Sequence, residues 1–348
     1  MKPVILSVDS QNTMRAFLEA PYRVYREKTV PPTAGRLKSS LRFSPMANPV
    51  LQHIRFANFV AFIEGQPVGR ITASVDSLNP RPDEGFWGCF ECIDDPRTAR
   101  ELFGAAAQWL KKQKKSIMIG PATLNTNQEV GLLIKGFENE CLQDMPYNPP
   151  YYRDLVEKAG LAKYQDLECF KWELPRSLSG ELQKESRAKD VVIRPVNYGL
   201  ISREAPIVRE ISNKMMSGVW GYIPMTLDDV RAFLMHCARH VPPGLFIIAE
   251  VKREPAGMTV NIPYKMPKAD GTGGKLRLAI GGLLPEFRQK GIHRLLLREL
   301  YKQAKNLGFT GGEASQVAES NEDIKKKVIK PFFGDEIIKI FRVYGQEI

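Results

Sequence analysis

The segment that most limits how this chain can fold is Lys275–Leu307, KLRLAIGGLLPEFRQKGIHRLLLRELYKQAKNL. Leu276, Leu278 and Ile280 alternate with Arg277 and Ala279, the period of a half-buried strand. Pro285 has no N–H for a ladder, so the strand should end by there. A basic turn, Arg288-Gln289-Lys290-Gly291, follows. Leu296, Leu297, Leu300, Ala304 and Leu307 then recur at helical spacing, and Gly308 stands where a helix commonly ends.

A basic turn that feeds a helix start suits an anion. The first N–H groups of a helix have no partner within it, and the peptide dipoles leave partial positive charge there. A diphosphate can use both. Gly291 lets the backbone approach closely, and Arg288 and Lys290 add full charges. An ordinary solvated loop is the competing reading of the segment taken alone.

The run Leu284-Pro285-Glu286-Phe287-Arg288-Gln289-Lys290-Gly291-Ile292-His293 resembles motif A of the GNAT acyltransferases. That pattern is hydrophobic-x-Pro-x-aromatic-Arg-x-x-Gly-x-Gly/Ala ahead of an aliphatic helix. The resemblance implies that Leu283, Leu284, Arg288, Gln289, Lys290, Gly291, Ile292 and His293 hold acyl-coenzyme A as co-substrate. His293 departs from the pattern, where Gly or Ala is usual.

The chain has 348 residues, 43% hydrophobic and 26% charged, which fits two globular domains. No apolar run reaches the length of a membrane span, and MKPVILSVDS is too short in its apolar part for a signal peptide. A cytoplasmic location is the expectation. The net charge of +11 suits a polyanionic ligand, but the basic residues are spread out, so no DNA partner is expected. Five scattered cysteines fit reduced thiols. Cys89 and Cys92 form a lone C-x-x-C on a strand, and His236 and His240 lack the glutamate of H-E-x-x-H, so no metal is expected. The GTGGK run does not complete a P-loop.

In the first half, Val4–Val8 reads as a strand and Asp9 or Ser10 as the cap of a helix. Residues 30–49 read as an extended loop. Phe56–Glu64 and Pro67–Val75 form a hairpin, and Gly85–Ile93 a third strand. Asp95 caps a helix with Pro96 at its first position. Strand 116–119, a loop-rich stretch to Pro150, helix 151–159 and strand 164–174 follow. Residues 175–190 read as a linker.

The second half repeats the order: strand 191–195, helices near 201–217 and 226–240, strands 245–251 and 256–262. The motif A strand and helix come next, then strand 311–317, a helix from 321 to 329 stopped by Pro331, and strand 336–344. This is a duplication of order rather than of sequence. Both halves match the element order of a GNAT domain. The chain is similar to a group of bacterial tandem-GNAT proteins related in architecture to Fem-type transferases. Phe62–Ile71, Gly85–Pro96, Gly120-Pro121, Gly131–Phe137, Met145–Tyr152, motif A, Glu313–Asn321 and Phe341–Tyr344 carry the likeness. The expected fold class is α/β (α+β): two tandem GNAT domains, each a mixed, mostly antiparallel twisted sheet flanked by helices. The expected division is 1–175, linker 176–190 and 191–348.

In the first half, Ile93-Asp94-Asp95-Pro96 stands where the second half has its basic turn. A carboxylate there repels a diphosphate and Pro96 offers no N–H, so one cofactor site per chain is expected, in the second domain. The resemblance implies Glu313 as general base, Asn321 on the cofactor arm, and Tyr344 as proton donor to the leaving thiolate. Gln316 replaces a usual tryptophan. Tyr147, Asn148 and Tyr151 are candidates for the acceptor site, against a packed, proline-fixed loop. The implied activity is N-acyl transfer from acetyl-coenzyme A or another acyl-coenzyme A to a small-molecule or peptide amine. The alternatives are a Fem-like transferase using aminoacyl-tRNA and a non-catalytic acyl-coenzyme A binder.

Overall fold

The computed structural model describes residues 2–348 apart from 26–34, 141, 143, 176, 178 and 269. The chain forms two compact units, Met1–Leu167 with Ala318–Ser320 and Lys339–Ile348, and Glu168–Val317 with Asn321–Ile338. They do not coincide with segments 1–175 and 191–348. The last ten residues fall with the first unit because their backbone pairs there, and residues 168–190 fall with the second.

In the first unit, β1 (Val4–Ser7), β2 (Ile54–Ile63), β3 (Gln66–Asp76) and β4 (Glu84–Cys92) pair successively antiparallel. The β2–β3 turn is Glu64-Gly65, both left-handed (φ 51° and 74°), the conformation a two-residue hairpin needs. The strand β5 (Ile117–Gly120) lies parallel to β4. A parallel neighbour requires a crossover, and α3 (Pro96–Lys112) supplies it. Its buried face is Ala99, Leu102, Phe103, Ala106 and Leu110. Trp87 is fully buried and meets Phe103 edge-to-face at 4.9 Å.

The remaining elements of this unit are α1 (Gln11–Val24), α2 (Arg36–Arg42), β6 (Leu132–Lys135), α4 (Tyr152–Lys158) and the first part of β7 (Ala162–Glu173). Ser10 caps α1 and forms a capping box with Thr13. The expected loop at 30–49 is corrected: Arg36–Arg42 is helical, and residues 30–34 lie outside the described residues. β6 is a further strand in the stretch read as loop.

The second unit begins with the rest of β7 and the short helix α5 (Gly180–Gln183). The expected linker is therefore structured in part: Leu182 is buried, because the segment docks on a helix of this unit. Strands β8 (Val191–Pro195), β9 (Phe246–Val251), β10 (Glu254–Lys265) and β11 (Gly274–Leu283) pair antiparallel, and β12 (Phe309–Ala318) joins β11 in parallel. Helices α6 (Ile201–Met215), α7 (Leu227–His240) and α8 (Ile292–Asn306) cover them. The helix α8 is the crossover from β11 to β12, and Leu296, Leu297, Leu300 and Ala304 are its buried stripe.

The helical stretch after Asn321 does not stop at Ile329. It runs through α9 (Glu322–Ile324), a π turn at Lys325–Ile329 and α10 (Lys330–Phe332), with Pro331 in the first turn of α10, where its missing N–H costs least. The closing strand β13 (Ile337–Glu347) returns to the first unit, pairing antiparallel with β5 and β6. Each unit thus holds one strand–helix–parallel strand crossover, β4–α3–β5 and β11–α8–β12.

Candidate functional site

In the second unit, β11 ends at Leu283 and a tight turn at Pro285–Phe287 carries the chain to Gly291, the residue before α8. Gly291 has φ 83°, a left-handed conformation, and Gln289 has φ 61°. Among the described residues, no acceptor meets the backbone N–H groups of Gln289, Lys290, Gly291 or Ile292. Lys290 is exposed, with its ammonium 5.3 Å from the Phe287 ring centre. These N–H groups, the dipole of α8 and the cations make a positively charged helix start.

Arg288 donates from Nε to the Leu283 carbonyl at 3.2 Å and from Nη2 to the Met215 carbonyl at 3.5 Å, so it braces the turn. The Leu284 N–H donates to Ala256. The His293 ring stands 5.8 Å from that of Phe332. Asn321 caps α9, accepting from the Ile324 N–H at 3.3 Å. The Lys290 carbonyl accepts from the Arg187 N–H at 2.9 Å and Ser186 Oγ at 3.0 Å. Arg298 bonds the Lys184 carbonyl at 2.7 Å, which fastens residues 180–187 along α8. A Cβ on Gly291 would stand 2.6 Å from the movable end of Arg294, at Nη2, and 3.2 Å from Ser186 Cα, and the left-handed φ of 83° would strain any other residue there.

Glu313 lies on β12, opposite Arg277 in register and 1% exposed. Arg277 Nε donates to Ser315 Oγ at 3.1 Å on the same pair of strands.

The first unit holds the other named residues. Tyr344 is fully buried and donates to Glu157 at 3.1 Å; burial and the Glu157 charge push its phenol up to about 12. Tyr151 donates to the Cys92 carbonyl at 2.8 Å. Asn148 is paired with the backbone of Leu133 in both directions, at 2.7 and 3.2 Å, as a neighbouring strand would be. At the β4–α3 junction, Asp95 accepts from the N–H groups of Arg97 and Thr98, so a protein carboxylate already occupies the place an anion would take.

Sequence reasoning missed a polar cavity in this unit. It measures about 60 Å³ and is lined by Arg42, Arg70, Cys89, Glu91, Glu129 and Tyr152, with Tyr147 and Asn148 on its wall. Glu91 and Arg70 are 5% and 1% exposed. Burial lifts the Glu91 carboxyl to about 7 even though the Arg70 charge pulls it down. Burial also lowers Arg70. Desolvation therefore wins on both partners. The available signal was a charge within each of two largely apolar runs, Arg70 in GRITASV and Glu91 in GFWGCFEC.

Among the described residues, no group of His, Cys, Asp and Glu is arranged to hold a metal and no helix is long and apolar enough to cross a membrane.

No family model matches the chain. It is 34% identical over 264 residues to Protein YghO of Escherichia coli (strain K12), an alignment spanning 73% of this chain and 66%, just under two thirds, of that protein. It is 27% identical over 375 aligned positions to the bacterial ceramide synthase of Caulobacter vibrioides (strain NA1000 / CB15N), covering 99% of this chain and 97% of that one. A solved tandem GNAT protein from the clavulanic acid biosynthesis pathway (without AcCoA) superposes with a TM-score of 0.58 at 14% identity, over 99% of this chain and 98% of the other. With a crossover of GNAT type in each unit and this full-length superposition, the chain has the tandem GNAT fold.

Proposed function

We propose that this protein is an N-acyltransferase that takes an acyl group from acyl-coenzyme A and passes it to a primary amine. The observation that carries the reading is the row of unengaged N–H groups from Gln289 to Ile292 at the start of α8, among Arg288, Lys290 and Arg294. A diphosphate would accept from these groups without displacing a protein acceptor, and its charge would meet the helix dipole. The capped start of α3 gives no such opportunity, which supports one donor site per chain.

In the transfer, the amine nitrogen attacks the thioester carbonyl, a C–N bond forms, and the C–S bond breaks to release coenzyme A thiol. Glu313 is the base inferred from motif resemblance; its enclosure on β12 means a substrate amine would have to reach a nearly buried carboxylate. The ceramide synthase relative supports a long-chain amino alcohol as acceptor, since a ceramide is the N-acyl derivative of one.

Calorimetric titration with octanoyl-coenzyme A tests the donor site. One site per chain is expected, with Gly291→Ala weakening binding about tenfold or more while circular dichroism stays unchanged. Two equivalent sites, or a Gly291→Ala variant that binds as the parent does, would reject the assignment.

A further inference from the structure

The Arg70–Glu91 pair is not closed. The nearest atoms, Arg70 Nη2 and Glu91 Oε1, are 3.9 Å apart, beyond hydrogen-bonding distance. Arg70 spends Nη1 on the Phe17 carbonyl at 3.2 Å and Ser39 Oγ at 3.4 Å. Its Nε, buried, has no acceptor among the described residues, and the buried Tyr25 hydroxyl faces Glu91. The other Glu91 oxygen accepts from Tyr152 Oη at 2.7 Å. A buried donor left alone loses its hydration without a replacement partner. A protein gains from such an arrangement when a ligand completes it.

The opposite wall is already satisfied. Arg42 donates to Glu129 at 2.9 Å and meets Cys89 Sγ at 3.4 Å, and Lys38 bridges Glu129 and Asp144 at 2.8 and 2.6 Å. What remains open is one N–H donor, Arg70 Nε, and one carboxylate oxygen, Glu91 Oε1, on the same cavity. A cavity of about 60 Å³ has room for a few non-hydrogen atoms. The matching chemistry is an oxygen and a nitrogen on adjacent carbons: the oxygen accepts from Arg70, and the nitrogen donates to Glu91.

We propose that this cavity in the first unit binds the head of a vicinal amino alcohol acceptor, with its oxygen on Arg70 and its nitrogen on Glu91. The assignment rests on the reading of the protein as an N-acyltransferase and names the acceptor's site. The groups that face Glu91 are Arg70 from β3, Tyr152 from α4, Tyr25 after α1, Arg42 from α2 and, more weakly, Tyr151. Burial is the strongest influence on Glu91, so it is about half ionised near neutrality. Tyr152 positions it.

The test is calorimetry on the full chain with three probes: 2-amino-1-octanol, octylamine and 1-octanol. The amino alcohol should bind at one site, about tenfold or more tighter than either single-group probe, and its affinity for the unsubstituted protein should rise with pH through about 7. Glu91→Gln should lose that preference and that pH dependence and leave octanoyl-coenzyme A binding intact, whereas Glu313→Gln should retain both. Equal binding of the three probes, or a pH-independent affinity of the unsubstituted protein, overturns the proposal without recourse to any variant. So does a folded Glu91→Gln protein that binds the amino alcohol as the parent does. If the amino alcohol binds as described but octanoyl-coenzyme A does not, the cavity assignment stands and the donor reading falls.

Discussion

Tyr152 Oη donates to Glu91 at 2.7 Å and accepts the Cys92 N–H at 2.9 Å, so one phenol joins a buried carboxylate to the backbone of its own strand. The Glu91 carboxyl nonetheless rises from 4.5 to about 7, because burial outweighs both this hydrogen bond and the Arg70 charge. A carboxyl with a raised folded-state value binds its proton more tightly when folded. Its stabilising contribution is complete below the unfolded value and is lost as pH climbs through the folded one. Between about pH 5 and about pH 8, Glu91→Gln should therefore gain on the parent by on the order of 2 kcal/mol. Urea unfolding of both proteins at the two pH values measures the change in their difference. A constant difference would show that Glu91 is not perturbed.

The start of α3 depends on Asp95, whose carboxylate accepts from Arg97 and Thr98 N–H groups and from Thr98 Oγ1 at 2.5 Å. Asp95→Ala should destabilise the protein by about 1 kcal/mol. The midpoint of thermal unfolding measures it. The substitution should not create a second coenzyme A site, because Pro96 still lacks an N–H.

Lys290 is exposed and makes no ion pair among the described residues, so its charge is screened by salt. Lys290→Ala should weaken octanoyl-coenzyme A binding by about threefold to tenfold at about 50 mM salt, and the gap should close near 500 mM. Unfolding of the free protein should be unchanged. A loss that persists at high salt would mean that Lys290 acts through shape rather than charge.

Leu300 is fully buried on the inner stripe of α8. Leu300→Ala should cost about 2–5 kcal/mol, through lost transfer energy and the cavity left behind. Denaturant unfolding reads this directly, and a cost under about 1 kcal/mol would show that α8 is not held by that stripe.

Legibility in the sequence followed how local each signal was. The Asp95-Pro96 helix start and the β11–α8 junction depend on a few neighbouring residues and formed as read, and the expected hairpin formed with its turn one residue earlier than the gap at 65–66, at Glu64-Gly65. The helix α2 escaped because its leucines do not face a core: Leu37 is 73% exposed and Leu41 49%. No apolar period marks it. The docking of residues 180–187 on α8 is made largely through backbone carbonyls, which composition does not reveal. The charged cavity was hidden because β4 is buried on nearly its whole length, so no alternation along it marks Glu91 as facing a cavity. Tyr344 and Asn148 have structural partners here, Glu157 and Leu133, that no local pattern could supply.

The central claim is that the amides ahead of α8 receive the diphosphate of the donor. The most direct measurement is a titration of ¹⁵N-labelled protein with coenzyme A, followed by amide chemical shifts. The account predicts that Gln289, Lys290, Gly291 and Ile292 shift most. Saturable shifts that leave those four amides in place, with the largest changes elsewhere, would contradict it.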